Sequence, residues 1–334
     1  MQRLVLIDGN AILHRAFHAL PPLTTKRGEI VNAVYGFFSM FLKILKDLKP
    51  DYLAVCFDKK APTFRQQMYV GYQAKRPKTA DELVPQIAKV HEILEKAKIE
   101  IFEVDGYEAD DLIGTLANQV QSSKFKVQSS ETIIVSGDRD MLQLVNSHVK
   151  VLAPVKGITE MILFDEKKVI EKYGIKPSQI VDYKALVGDS SDNYPGVAGI
   201  GPKTAVSLLK EYRSFENMYK NISLLPPKIS EKLATDAETS ALAKKLATIV
   251  IDAPITLKLE ECSCANFDVK SLREEFERLG FRTLLKRLGS DGSKETPLRP
   301  AEAKAKGDFE GQAKETEAPK VKKEKEKNQQ LGLL

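Results

Sequence analysis

Three carboxylates fall within four residues in Gly106-Tyr107-Glu108-Ala109-Asp110-Asp111-Leu112: Glu108, Asp110 and Asp111. Acids at a helix start complement the helix dipole at about 0.3–1 kcal/mol each, and one or two need no further reason. Three so close repel one another unless a cation sits among them. Asp8 closes the apolar run Leu4-Val5-Leu6-Ile7, and Asp58 closes Tyr52-Leu53-Ala54-Val55-Cys56-Phe57. Asp138 and Asp140 follow Thr132-Ile133-Ile134-Val135, and Asp189 and Asp192 lie in Gly188-Asp189-Ser190-Ser191-Asp192-Asn193. One Asp after a strand is often a turn residue or a helix cap. Repeated at strand after strand, the pattern points to carboxylates gathered in one cleft. Oxygen-only ligands suit Mg²⁺ or Mn²⁺ better than zinc.

The elements that must bring them together are readable as strand–helix alternation. The apolar runs ending at Asp8, Asp58 and Asp138 read as strands, as does Ile99 to Val104. In a mostly parallel sheet covered by helices their ends lie side by side. Helices are expected over Ala11 to Leu20, Asn32 to Leu48, Asp81 to Lys98, from about Glu108 to Val120, and from Met141. In Asn32 to Leu48 the aromatics Phe37, Phe38 and Phe41 are core. Leu112, Ile113 and Leu116 give the helix after Tyr107 its apolar face, with Glu108 and Asp111 on the other. Val149 to Leu152 and Met161 to Phe164 flank Gly157 as an edge hairpin. From Asp165 the chain reads as mainly helical, ending in one helix from Leu272 to Leu288.

Two stretches could meet a ligand beyond the acids. Residues 59–80 mix Lys59, Lys60, Arg65, Lys75, Arg76 and Lys78 with Phe64, Tyr69 and Tyr72. Cations pair with phosphates and aromatics stack on bases, so the segment suits nucleic acid, against the plainer reading of a surface loop. In Gly196-Val197-Ala198-Gly199-Ile200-Gly201-Pro202-Lys203-Thr204, Pro202 suits a first helical position. Backbone amides there can face a phosphate, with Lys203 and Thr204 adding donors. The spacing is not that of a Walker loop.

Composition sets the outer bounds. The 334 residues, 43% hydrophobic and 29% charged, are enough for one large or two modest globular domains. There is no run of about 18 apolar residues and no leader-like start, so neither a membrane span nor a signal peptide is expected. Cys56, Cys262 and Cys264 form no disulfide framework, which fits a reducing cytoplasm. Net charge is +5, and the ten basic and nine acidic residues from Ser290 on nearly cancel. With the nine candidate acids set aside, the remaining surface is strongly basic, as suits a polyanion that must reach metal ions. Solvated lysines would look the same on charge alone. Residues 290–334 read as a disordered charged tail whose last residues, 329–334, turn apolar like a docking peptide.

Taken together, these motifs resemble the 5′-nuclease (flap endonuclease) family, in particular the 5′→3′ exonuclease domain found at the N-terminus of bacterial DNA polymerase I. The likeness runs from Leu4 to about Leu288. It rests on Leu6 to Asn10, Asn32 to Phe37, Phe57-Asp58, Thr63-Phe64-Arg65, the Glu108 to Asp111 run, Gly137 to Asp140, and Gly188 through Thr204. The resemblance implies a PIN-like α/β nuclease domain (1–164) with an arch at 59–80. It also implies a helical DNA-binding region (165–289) with a helix–three-turn–helix motif near 185–212. Two Mg²⁺ ions are implied, Mn²⁺ substituting, held by Asp8, Asp58, Glu108, Asp110, Asp111, Asp138, Asp140, Asp189 and Asp192. K⁺ would sit in the three-turn motif. Tyr72, Lys75 and Arg76 would act at the scissile phosphate. Arg15, Arg65, Gly196, Gly199, Gly201, Lys203 and Thr204 would contact DNA. The implied substrates carry 5′ flaps, nicks or RNA primers. Gln330, Leu331, Leu333 and Leu334 look like a sliding-clamp peptide, and a separately encoded polymerase is a further implied partner of this monomer. One position departs from the pattern: Tyr-Lys-x-x-Arg reads Tyr72-Gln73-Ala74-Lys75-Arg76. That opens an alternative, a DNA-binding module with weakened catalysis, and a PIN-type ribonuclease is a third reading.

Overall fold

The computed structural model describes residues 2–121, 130–157 and 160–289. Six strands form one sheet: β1 (Gln2–Asp8), β2 (Tyr52–Cys56), β3 (Glu100–Phe102), β4 (Ser130–Val135), β5 (Val149–Lys156) and β6 (Glu160–Phe164). Their order is β3-β2-β1-β4-β5-β6. Neighbours from β3 to β5 are parallel, and β6 closes the edge antiparallel to β5. The chain winds outward from β1 through β2 to β3, then resumes at β4 on the other side of β1. Such a reversal opens a crevice at the carboxyl ends of the strands.

The continuous apolar runs reflect a sheet buried on both faces. Successive side chains point to opposite sides, so each strand feeds two cores. Leu4 and Leu6 join Ala54, Cys56 and Ile134 on one face, under Leu112, Ile113 and Leu116 of the helix Ala109–Gln121. Val5 and Ile7 join Leu53, Val55, Ile133 and Val135 on the other, under Phe37, Phe38 and Phe41 of the helix Asn32–Leu48. The helix Val84–Lys96 covers the same face through Val90, Ile93 and Leu94.

Two expected helices turn out differently. The stretch from Met141 makes only the short 3₁₀ turn Asp140–Leu144. It stops because the Asn146 side chain accepts from the amides of His148 and Val149 and starts β5. The expected final helix is two, Val269–Leu279 and Arg282–Leu288. Gly280 adopts φ +75° between them, a left-handed stop that a residue with Cβ disfavours. Apolar spacing runs straight through because Phe281 is itself core, packed 5.3 Å from the Tyr35 ring.

After Phe164 the described chain is mainly helical, with a two-residue ladder, Gly188–Asp189 against Tyr194–Pro195, and an extended non-helical stretch over 248–263. Gly188 has φ +77°, and a Cβ there would lie 2.4 Å from the Gly196 nitrogen. This approach folds residues 189–194 into a tight loop at the carboxyl edge of the sheet. A return segment then crosses the helix Ala109–Gln121. The amides of Ala253 and Leu257 donate to Thr115 Oγ1 and Gln119 Oε1 at 3.0 and 2.8 Å. No helix among the described residues is long and apolar enough to cross a membrane.

Candidate active site

Each strand end delivers its acid to a cleft of about 1570 Å³. Asp8 ends β1 and caps the next helix, accepting from the Ala11 amide at 2.9 Å and from Ser136 Oγ at 2.7 Å. Asp58, beyond β2, accepts from Asn10 Nδ2 and from the Ala109 amide, both at 2.7 Å, which pins it to the start of the acidic helix. Glu108 accepts from Thr63 Oγ1 at 3.0 Å and from the Tyr72 hydroxyl at 3.1 Å. Asp110 and Asp138 complete this inner group. An outer group gathers nearby: Asp140, Asp189 and Asp192 each present an oxygen within 4.8 Å of the other two.

The electrostatics show acids short of positive charge. Burial, abetted by Asp58 and Asp138, pushes the Asp8 carboxyl up to about 7 against its two hydrogen bonds. Burial likewise raises Asp140 to about 7, with Asp138 adding to it and Lys184 opposing. Glu108, Asp110 and Asp192 are raised by burial too. Asp110 Oδ1 is buried without a hydrogen-bond partner. Asp189 goes the other way. Burial opposes its ionisation, but the bonds from Lys184 and Ser191 prevail and hold it at about 2. Hard divalent cations match this all-oxygen, charge-starved donor set, so the residues fit the ions the sequence implies.

Three expected assignments are corrected. Asp111 is fully buried and turned from the cleft. Its Oδ2 accepts from Arg65 Nη1 (2.7 Å) and the Glu108 amide (3.2 Å), and its Oδ1 from Arg65 Nη2 and the Val250 amide, both at 2.8 Å. Four bonds saturate a carboxylate, which leaves no oxygen for a cation. Arg65, expected on DNA, is 1% exposed. It also donates to the carbonyls of Leu246 and Thr248, each at 2.9 Å. Lys75, expected at the phosphate, is exposed and does not line the cleft; Gln73, at φ +55°, does.

The other expected residues divide by role. Tyr72 is buried and serves Glu108. Arg76 lines the cleft with its Nη2 2.6 Å from Asp192 Oδ1, and Arg15 lines it while donating to the Gly157 carbonyl at 2.7 Å. Gly196 is a glycine for packing, since a Cβ would lie 2.4 Å from the Leu186 carbonyl oxygen. Gly199 has φ +71°, and its turn is tied down from one helix end: Lys232 Nζ donates to the Gly199 carbonyl at 2.9 Å, and Asp236 Oδ2 accepts from the Ala198 amide at 2.7 Å. Gly201 precedes the helix Pro202–Tyr212, which carries exposed Lys203 and half-buried Thr204 at its start. The segment 59–80 is not a bare loop: Thr63 starts the helix Phe64–Met68 with a capping box. Gln330, Leu331, Leu333 and Leu334 lie outside the described residues.

Sequence reading missed Lys184, whose ammonium contacts Asp140 and, at 2.5 Å, Asp189. The signal was present: a lysine inside the largely apolar helix Ile180–Val187, five residues before Asp189.

Comparison with known proteins agrees with this arrangement. A family model for the 5′-3′ exonuclease N-terminal resolvase-like domain matches residues 3–174, and one for the 5′-3′ exonuclease C-terminal SAM fold matches residues 175–270. The chain is 45% identical over 289 residues to DNA polymerase I of Caldicellulosiruptor bescii, covering 86% of this chain and 33% of that protein. It thus spans about one third of the length of such polymerase relatives. It is 40% identical over 288 residues to the 5′-3′ exonuclease of Aquifex aeolicus, covering 86% of this chain and 96% of the relative. In fold it is similar to the bacteriophage T5 flap endonuclease solved as a pseudo-enzyme–product complex with DNA and metal ions. There the TM-score is 0.61 at 17% identity, over 86% of this chain and all of that one. The flap endonuclease-1 of Methanococcus jannaschii gives 0.53 at 18% identity, over 85% and 90%. With both family models matched in order and one relative aligned over nearly its whole length, the chain belongs to the 5′-3′ exonuclease family.

Proposed function

We propose that the chain is a structure-specific 5′→3′ exonuclease and 5′-flap endonuclease that hydrolyses DNA and RNA-primer phosphodiesters in replication and repair. The convergence of eight carboxylates from separate strand ends and the 189–192 loop carries this reading, with the Gly199 turn in the segment that follows. Asp8, Asp58, Glu108 and Asp110 would hold an inner divalent cation, Asp140, Asp189 and Asp192 an outer one, and Asp138 would stand between. Mg²⁺, with Mn²⁺ as substitute, would supply Lewis acidity to activate water and offset charge on the departing 3′-oxygen.

The chain's own side chains do the positioning. Tyr72 and Thr63 fix both oxygens of Glu108, and Ser136 fixes Asp8. Arg76 would leave Asp192 for the scissile phosphate, and Arg15 would contact the strand beside it. Exposed Lys203, Thr204 and the amides near Gly201 would grip duplex backbone, which selects structure rather than base sequence. K⁺ would share that turn's carbonyls, one of which Lys232 already occupies. In this reading residues 1–164 form the nuclease domain, 165–289 the duplex-gripping region and 329–334 a clamp peptide, in a monomer.

Mg²⁺-dependent release from a 5′-flap duplex tests the proposal. Asp138→Ala is expected to cut the single-turnover rate at least about 10³-fold, a loss of roughly 4 kcal/mol of barrier lowering, while flap binding persists. A wild-type protein that leaves the flap uncut in both Mg²⁺ and Mn²⁺, or prefers single-stranded RNA, would refute it.

A further inference from the structure

Tyr194 lies in the short ladder directly opposite Asp189 and is 4% exposed. Its ring stacks on Tyr72, centroids 6.5 Å apart and planes 18° from parallel. The two hydroxyls have different fates. That of Tyr72 donates to Glu108 in the inner group. That of Tyr194 is buried with no hydrogen-bond partner. The charged groups acting on it are Lys184, Asp140, Asp189 and Asp192, so it belongs to the surroundings of the outer group.

A buried hydroxyl left without a partner destabilises the fold. The ammonium of Lys184 is engaged with Asp140 and Asp189 and makes no hydrogen bond to it. The hydroxyl of Tyr194 can both donate and accept, and neither capacity is used. A hydrated Mg²⁺ keeps several waters, and each has spent its lone pair on the cation and donates strongly, so the phenol oxygen is a fitting acceptor for one of them.

We propose that Tyr194 is a positioning residue for the outer group: its hydroxyl oxygen accepts from a water carried by the cation that Asp140, Asp189 and Asp192 would hold. This rests on the cation reading given under the proposed function. Outer hydrogen bonds of this kind orient a metal's ligands, and losing one typically costs 10–100-fold in affinity.

The experiment is Tyr194→Phe in the full chain, followed by unfolding temperature as Mg²⁺ is titrated without DNA. The substitution keeps the ring stack and removes only the unpaired hydroxyl. Expected is a metal-free unfolding temperature equal to or above wild type, with the half-saturating Mg²⁺ of the outer-site phase raised about tenfold. Superimposable titrations overturn the proposal and leave the cation reading standing. So does a lowered metal-free temperature with an unchanged Mg²⁺ response, which would make the hydroxyl a partner of Lys184. A wild type whose unfolding ignores Mg²⁺ overturns both.

Discussion

Arg65 and Lys184 each stand among three carboxylates, yet they neutralise them in different ways. Arg65 is 1% exposed and places its planar fork on Asp111 alone, with two backbone carbonyls taking further bonds. Glu108 and Asp110 remain 3.7 Å from it, attracted but not bonded. Lys184, on a flexible stem and 15% exposed, contacts Asp140 and Asp189 together. The rigid fork builds the wall of the inner group and leaves its remaining acids unpaired. The point charge in the outer group can yield to a stronger cation. One cation belongs to the fold and the other to the site.

Paired substitutions are the sharpest way to break this contrast. Arg65→Met should cost about 3–5 kcal/mol in urea unfolding, because it strands a buried Asp111. Lys184→Met should cost about 1.5–3 kcal/mol, and millimolar Mg²⁺ should restore it. Equal losses, or Mg²⁺ rescue of Arg65→Met, would erase the distinction.

A second test uses pH. Asp8 and Asp140 carry folded-state values near 7 against ordinary values near 4. Below pH 4 both states are protonated and nothing is lost. As pH rises through that window the unfolded chain ionises first, so these two groups increasingly disfavour the fold, fully so above 7. A cation that pairs with them removes that cost. The rise in unfolding temperature on adding Mg²⁺ should therefore be larger at pH 8 than at pH 5, and a reversed order would contradict the charge-starved site.

The smallest expected effect concerns the cleft wall. Gln73 faces the cleft where Lys75 does not. Gln73→Lys should raise single-turnover flap cleavage by roughly threefold to tenfold, and Lys75→Ala should change it less than about twofold. A larger loss from Lys75→Ala would show that the exposed lysine reaches the phosphate after all.

The paired readings of Asp110 and Asp111 show how far residue order alone reaches. That these acids open a helix beyond a strand follows from local spacing. Which of them turns inward depends on Arg65, 46 positions away, and on Val250, 139 positions away. The same limit hid the burial of Arg65, which in sequence looks like any cation in a basic stretch. It also hid the break at Gly280, since helical periodicity continues on both sides of a single left-handed residue.

The amino-acid sequence by itself determined the strands, their terminal acids and the glycine turn. Continuous apolar runs and turn chemistry are local, and a parallel sheet must set its strand ends side by side. Tertiary structure alone decided which acids face the cleft, which cations are spent on the fold, and that Tyr194 is left with an unpaired hydroxyl. Those outcomes depend on distant segments competing for the same lone pairs and protons, and no local pattern records who wins.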